Sequence, residues 1–215
     1  MTSNASNSVL LLASGGLDST TLAYSLIAQG IDFMPLFINY GQHSSNTELT
    51  TLREVLPARF REKIEVVDVS AVYRGSSSRL VVAPDLWRER VEDEDLFLPQ
   101  RNLLILSIGA AFAESRGMTK VYAGFIETHR APGADCCDPF FEIMDRLMHQ
   151  SGQVEIVLPL RRLSKAEVAQ LGVKVGAPIG QTFSCLAAAA IPCGACPNCV
   201  DRLQAIDSLF PTHEP

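Results

Sequence analysis

The chain has 215 residues, 47% of them hydrophobic, and a formal net charge of −6. That length fits one ordinary domain with at most a small appendage. The acidic balance disfavours broad nucleic-acid binding, which needs clustered Lys and Arg, and no apolar run reaches the ~20 residues that span a membrane. Residues 1–7 are polar and uncharged, unlike a signal peptide, so a cytoplasmic protein is expected.

The apolar run Val9–Ala13 predicts a buried strand, followed by the turn Ser14-Gly15-Gly16-Leu17-Asp18-Ser19-Thr20 and a helix over Ser19–Gln29. Asp18 or Ser19 is the expected N-cap, and Gly30 sits where a C′ glycine belongs. A glycine turn at a helix N-terminus offers free backbone N–H groups to an anion, and its hydroxyls add donors. Ala13, Ser14, Gly15, Gly16, Leu17, Asp18, Ser19, Thr20 and Thr21 are therefore the candidate phosphate-binding residues. The loop lacks the Gly-Lys-Ser/Thr ending of a Walker A motif, and it is not G-x-G-x-x-G.

Further strands are expected at Phe33–Asn39, Ile64–Val69, Val121–Phe125 and Val154–Leu158. Helices are expected at Thr47–Phe60, at Asn102–Arg116 (apolar on nearly every side, hence deeply buried) and at Pro139–His149. Residues 74–95 read as a mobile polar loop near the ligand. Ser164-Lys165-Ala166-Glu167 is a capping box opening a helix that ends near Gly172. Alternating strands and helices predict an α/β fold, a mainly parallel sheet with helices on both faces and ligands at the C-terminal strand ends.

Four of the six cysteines, Cys185, Cys193, Cys196 and Cys199, lie close together near the C-terminus. Four thiolates suit a closed, structural tetrahedral Zn²⁺ site; an iron–sulfur cluster uses the same ligands, and a redox C-x-x-C pair is a third reading. The expected division is a nucleotide domain over residues 1–180 and a metal-binding tail over 181–215, packed so that Thr182-Phe183-Ser184 press on the active site. His43, His129, His149 and His213 show no ligand spacing.

Ser14–Thr20 resembles the PP-loop of the ATP pyrophosphatases, a Rossmann-type, HUP-like fold. With the cysteine tail it resembles one family, 7-cyano-7-deazaguanine synthase of queuosine biosynthesis. The likeness extends to Tyr40-Gly41-Gln42, Leu98-Pro99-Gln100-Arg101-Asn102, Asp135-Cys136, Ser164–Glu167 and Thr182–Cys185. The resemblance implies an ATP-dependent carbon–nitrogen ligase. The carboxylate of 7-carboxy-7-deazaguanine is adenylated, ammonia displaces AMP to give an amide, and a second ATP activates the amide oxygen on the way to the nitrile. Pyrophosphate would be held by the glycine turn and bridged by Mg²⁺. Asp18, Arg101 and Lys165 are the catalytic candidates; Tyr40, Gln42, Arg101, Asn102, Arg130 and Asp135 are the substrate candidates. A homodimer is expected from the family.

The chain departs from the family's patterns. Its Y-G-Q continues with His43-Ser44 in place of R-H. The substrate loop Glu127–Cys137 lacks the two tyrosines and the last arginine of D-Y-S-G-Y-P-D-C-R, with Arg130 a displaced replacement. Phe183 and Leu186 stand in W-S-C-Y. These changes admit two alternatives: a paralogue passing the activated acid to a protein or nucleic-acid amine in phage defence or DNA modification, and a non-catalytic nucleotide-sensing subunit.

Overall fold

The computed structural model describes residues 8–126, 135–187 and 191–210. Five strands, β1 (Val9–Leu12), β2 (Phe33–Asn39), β3 (Glu65–Asp68), β4 (Lys120–Ala123) and β5 (Glu155–Val157), form one sheet in the order β3-β2-β1-β4-β5. Every pairing is parallel, with Leu10 opposite both Met34 and Val121. The helices are α1 (Leu17–Ala28), α2 (Ser45–Val55), α3 (Ala58–Arg61), α4 (Arg101–Glu114), α5 (Asp138–Ser151), α6 (Lys165–Lys174) and α7 (Pro197–Asp207).

All four residues of β1 are buried, as expected for a central strand covered on both sides. Its alternate side chains enter two cores. Leu10 and Leu12 pack with Leu106 and Ala110 of α4 and with Phe141, Met144 and Met148 of α5. Val9 and Leu11 pack with Leu22 and Leu26 of α1, Leu52 of α2, Phe60 of α3 and Val168 of α6. Strand order reverses between β1 and β4, and in such sheets the crevice beyond the strand ends at that point is the ligand site. The glycine turn leaves β1 there, and Gly124 follows β4 so closely that a Cβ on it would lie 3.1 Å from the Ser19 nitrogen.

Four local expectations are corrected. Gly16, in an extended conformation (φ −75, ψ 166), is the N-cap of α1, so Asp18 and Ser19 lie inside the first turn. The expected helix over 47–60 is two helices: Pro57 lacks an N–H, and Leu56 before it is extended (ψ 140). Helix α4 buries one stripe, Asn102, Leu106, Gly109, Ala110 and Ala113, and leaves its other side partly exposed. The segment 74–95 carries the anchors Leu80 and Val91, both buried, and an Arg79–Glu89 ion pair, and none of its residues reaches the cavity described below.

Helix α7 went unforeseen; its Pro197 sits in the first turn, where no N–H is needed, and Ala205 shares a small core with Leu17 and Ala169. Gly30 (φ +71) and both halves of the Ser164–Glu167 capping box are present as expected. The 21-residue stretch Glu94–Glu114 contains an apolar window of mean hydropathy 1.4. Pro99 and the left-handed Gln100 (φ 58) interrupt it. Helix α4 itself has 14 residues, about 21 Å at 1.5 Å per residue against a ~30 Å hydrocarbon core.

Helices α1 and α6 touch at Gly172, where an added Cβ would lie 2.7 Å from both Thr21 Oγ1 and Ile179 Cγ2. Gly172→Ala gains about 1 kcal/mol of helix propensity but overpacks a contact at roughly 1–3 kcal/mol. A net loss of stability is expected, read as a lower thermal midpoint; an unchanged or raised midpoint refutes the close packing.

Candidate functional site

Gly15 adopts φ +75, and a Cβ there would lie 2.7 Å from Leu52 N and 2.8 Å from Glu48 O, so the turn is wedged against the backbone of α2. On its other side the Phe183 N–H donates to the Gly15 carbonyl (3.1 Å). Inside the turn the Ser14 N–H donates to Ser19 Oγ (3.2 Å), and Ser19 Oγ donates to the Gly16 carbonyl (3.3 Å). The N–H groups of Leu17, Asp18 and Ser19 find no acceptor among the described residues. All three residues line a cavity of about 290 Å³.

Around that cavity stand Leu36, Ile38, Tyr40, Gln42 and Glu48 from β2, the turn after it and α2. Arg101, Asn102 and Ile105 come from α4, Gly124 and Phe125 from the end of β4, and Lys165 from the start of α6. Phe183, Ser184, Leu186 and Asn198 close it from the cysteine segment. Lys165 Nζ meets Asp18 Oδ2 at 2.5 Å. Asp18 Oδ1 is shielded from solvent with no partner among the described residues.

Tyr40 is buried, and burial pushes its hydroxyl up to about 12 despite the opposing Arg101 guanidinium. Glu48 is 8% exposed. Its carboxylate accepts from Ser44 Oγ (2.6 Å) and Gln42 Nε2 (3.1 Å), and burial holds its pKa above the ordinary range. Gln42 is spent internally, donating also to Ile38 O and accepting from Tyr40 N. His43, in place of a family arginine, donates from Nε2 to Leu186 O (2.9 Å) and so ties the turn after β2 to the cysteine segment.

Ala13, Ser14, Gly16, Leu17, Asp18, Ser19, Tyr40, Gln42, Arg101, Asn102 and Lys165 all line one cavity. Gly15 instead backs onto α2, and Thr20 and Thr21 are buried away from the cavity, Thr21 against Gly172. Asp135 does not line the cavity: its carboxylate accepts from the Asn102 N–H (2.6 Å), capping α4, while Asn102 Nδ2 donates to the Asp135 carbonyl (2.9 Å). Asp135 thereby fixes the start of the helix that carries Arg101. Arg130 lies outside the described residues. Glu48 and Asn198 were missed; Glu48 lies four residues after the buried N-cap Ser44, and no signal in the sequence separates it from an ordinary solvated helix glutamate.

The Sγ atoms of Cys185, Cys193, Cys196 and Cys199 lie within 4.8 Å of one another. Four sulfurs on a tetrahedral ion at ~2.3 Å sit about 3.8 Å apart, so this set fits a metal with little movement. The Cys193 N–H donates to Cys185 Sγ (3.4 Å) and the Cys196 N–H to Cys193 Sγ (3.3 Å). Without a metal the Cys196 thiol, hydrogen-bonded to Cys185, holds the Cys185 thiol down while its own is raised, and burial raises Cys199, so the four sulfurs share protons that a bound ion would displace. From α7, Arg202 donates to the carbonyls of Ile179 (3.1 Å) and Gly180 (3.2 Å) and to Thr182 Oγ1 (3.4 Å). The cysteine helix is thereby stapled to the segment whose Phe183 grips Gly15.

The family model for Queuosine biosynthesis protein QueC matches residues 8–209. The chain belongs to the QueC family. A 7-cyano-7-deazaguanine synthase of Hahella chejuensis is 31% identical over 94% of this chain and 89% of its own length. The synthase of that name from Thermoplasma acidophilum is 30% identical over 91% and 85%. Among solved structures, a 4-thiouridine synthetase–RNA complex with bound ATP is similar at a TM-score of 0.49 and 16% identity. The alignment covers 94% of this chain and 51% of that one, so this chain spans about half of it.

Cys196→Ser is expected to bring bound metal, measured by elemental analysis of the purified protein, to near zero and to lower its thermal midpoint. One equivalent of metal retained in that variant rules out the four-cysteine assignment.

Proposed function

We propose that the protein is an ATP-dependent carbon–nitrogen ligase that converts the carboxylate of 7-carboxy-7-deazaguanine to a nitrile with ammonia, releasing AMP and pyrophosphate. The carrying observation is the glycine turn: Leu17, Asp18 and Ser19, whose amides find no acceptor among the described residues, line a cavity that Arg101 and Lys165 also line. Membership of the QueC family and the names of its relatives support the choice of substrate.

A carboxylate has a poor leaving group, and adenylation replaces it with AMP. Charge develops on the pyrophosphate as it leaves. The fixed amides of Leu17, Asp18 and Ser19 and the Ser14 hydroxyl suit that charge, because such donors need no rearrangement at the moment of reaction. Arg101 offers a planar fork for a phosphate or for the substrate carboxylate. Lys165 orients Asp18 through Oδ2 and leaves Oδ1 buried without a partner among the described residues. That shielded, unpartnered oxygen fits a Mg²⁺ ion, which when bound neutralises phosphate oxygens. Leu36, Ile38, Ile105 and Phe125 supply apolar walls for flat bases, and Tyr40 stands beside Arg101 at the substrate end.

The cysteine set is read as a structural Zn²⁺ site: four thiolates leave no open position for chemistry. Residues 181–215 act in this reading as a metal-organised wall of the 1–180 domain. No residue described in the site favours a macromolecular acceptor or a sensing subunit.

Purified protein given ATP, Mg²⁺, ammonium and 7-carboxy-7-deazaguanine is expected to release AMP and pyrophosphate and to yield the nitrile mass. Ser14→Ala and Asp18→Ala are each expected to cut AMP release by about 100-fold or more with the thermal midpoint little changed. Undiminished turnover in both variants would sink the assigned site; amide as the final product would sink the nitrile assignment.

A further inference from the structure

Building an amide from an activated carboxyl requires more than a held leaving group. Ammonia attacks with its lone pair, a C–N bond forms, and the C–O bond to AMP breaks with the electron pair leaving on the phosphate. The nitrogen must also lose one proton, so the cavity needs a base. The titratable groups lining it are Asp18, Tyr40, Glu48, Arg101 and Lys165. Arg101 and Lys165 are cations, and Asp18 is held by Lys165. Tyr40 does not ionise near neutrality, burial having pushed it up to about 12. Glu48 is different: the partners on its two oxygens, Ser44 Oγ and Gln42 Nε2, are neutral donors, so each oxygen keeps a lone pair that no ion pair engages.

We propose that Glu48 is the proton acceptor for the ammonia that attacks the activated carboxyl carbon. This rests on the reading given above for the same cavity. Three features of the structure carry it. Glu48 is buried yet lines the cavity. Its backbone carbonyl abuts Gly15, so its carboxylate is fixed relative to the turn that holds the phosphates. Gln42 and Ser44 lock its orientation, and Gln42 is itself locked by Tyr40 N and Ile38 O. The charged and titratable groups facing it are Arg101 from α4 and His43 and Tyr40 from the turn after β2. Burial raises its pKa, the direction that brings a carboxylate closer to the working range of a general base. The proton passes from Glu48 to solvent after AMP departs, which restores the carboxylate.

The half-reactions separate the roles. In single-turnover experiments with the full chain, ATP and 7-carboxy-7-deazaguanine, pyrophosphate release before ammonium is added reports adenylation. Amide formation afterwards reports transfer. For Glu48→Gln, which keeps the shape and a hydrogen-bonding end, pyrophosphate release within about 10-fold of wild type and transfer slowed roughly 100-fold are expected. With transfer rates expressed per free NH3, whose fraction itself falls on acidification, the wild-type rate falls further as the carboxylate protonates, and this remaining limb is expected to vanish in Glu48→Gln; Glu48→Asp restores part of the rate. Wild-type transfer in Glu48→Gln, a persisting acid limb, or adenylation falling in step with transfer overturns the proposal. Absence of pyrophosphate release from wild-type protein overturns the parent reading, and this one with it.

Discussion

One contact organises the molecule: Gly15 caught between the backbone of α2 and the Phe183 N–H. A loop that binds an anion through its own amides works only if those amides are already aimed, because ordering them on binding would consume the interaction energy. Here the aim comes from both sides. A residue with a Cβ would collide with α2, and the carbonyl of Gly15 is fixed by a segment from the far end of the chain. The sheet supplies the third support, since Ala13 N remains paired with Leu36 O as β1 runs into the turn (3.0 Å).

The cavity gathers cations in a protein whose formal net charge is −6. Arg101 and Lys165, drawn from α4 and α6, line the same space, and the N-terminus of α1 adds partial positive charge to it. Asp18 and Glu48 partly offset these charges, one by direct pairing and one at a distance. The result is a local field suited to a polyanion inside a surface that repels most others. Placement of Arg101 depends on two unusual features at the start of its helix: the left-handed Gln100 and the Asp135 carboxylate that caps the next residue.

Much of this was legible in the sequence because the signals were local. The apolar runs gave the strands, the turn Ser14–Thr20 marked the strand-to-helix junction that lines the cavity, and Ser164–Glu167 carried its capping box in plain view. What failed was non-local or depended on exact backbone angles. The N-cap moved to Gly16 because the turn uses Ser19 to close on itself, which leaves that hydroxyl unavailable to the helix end. The break at Pro57 was visible but was overridden by a helical reading of both flanks. Asp135 looked like a ligand residue, yet its partner is an amide on α4 thirty-three positions earlier. Glu48 could not be singled out from composition, because a glutamate on a helix is ordinarily solvated, and only the fold shows it walled in by Ser44, Gln42 and the glycine turn.

In the all-parallel order β3-β2-β1-β4-β5, every strand delivers its final residue to the same rim, and all the cavity-lining side chains gather there. The opposite rim carries return connections such as the reversals at Gly30 and Gly117, both with positive φ and open space around them. Chemistry and scaffolding are therefore segregated to two poles of the same sheet. A reporter or tether spliced into the reversal at Gly30 or Gly117 would sit a full strand length from the reacting atoms, which makes these bends natural points of attachment for work on the enzyme in its intact form.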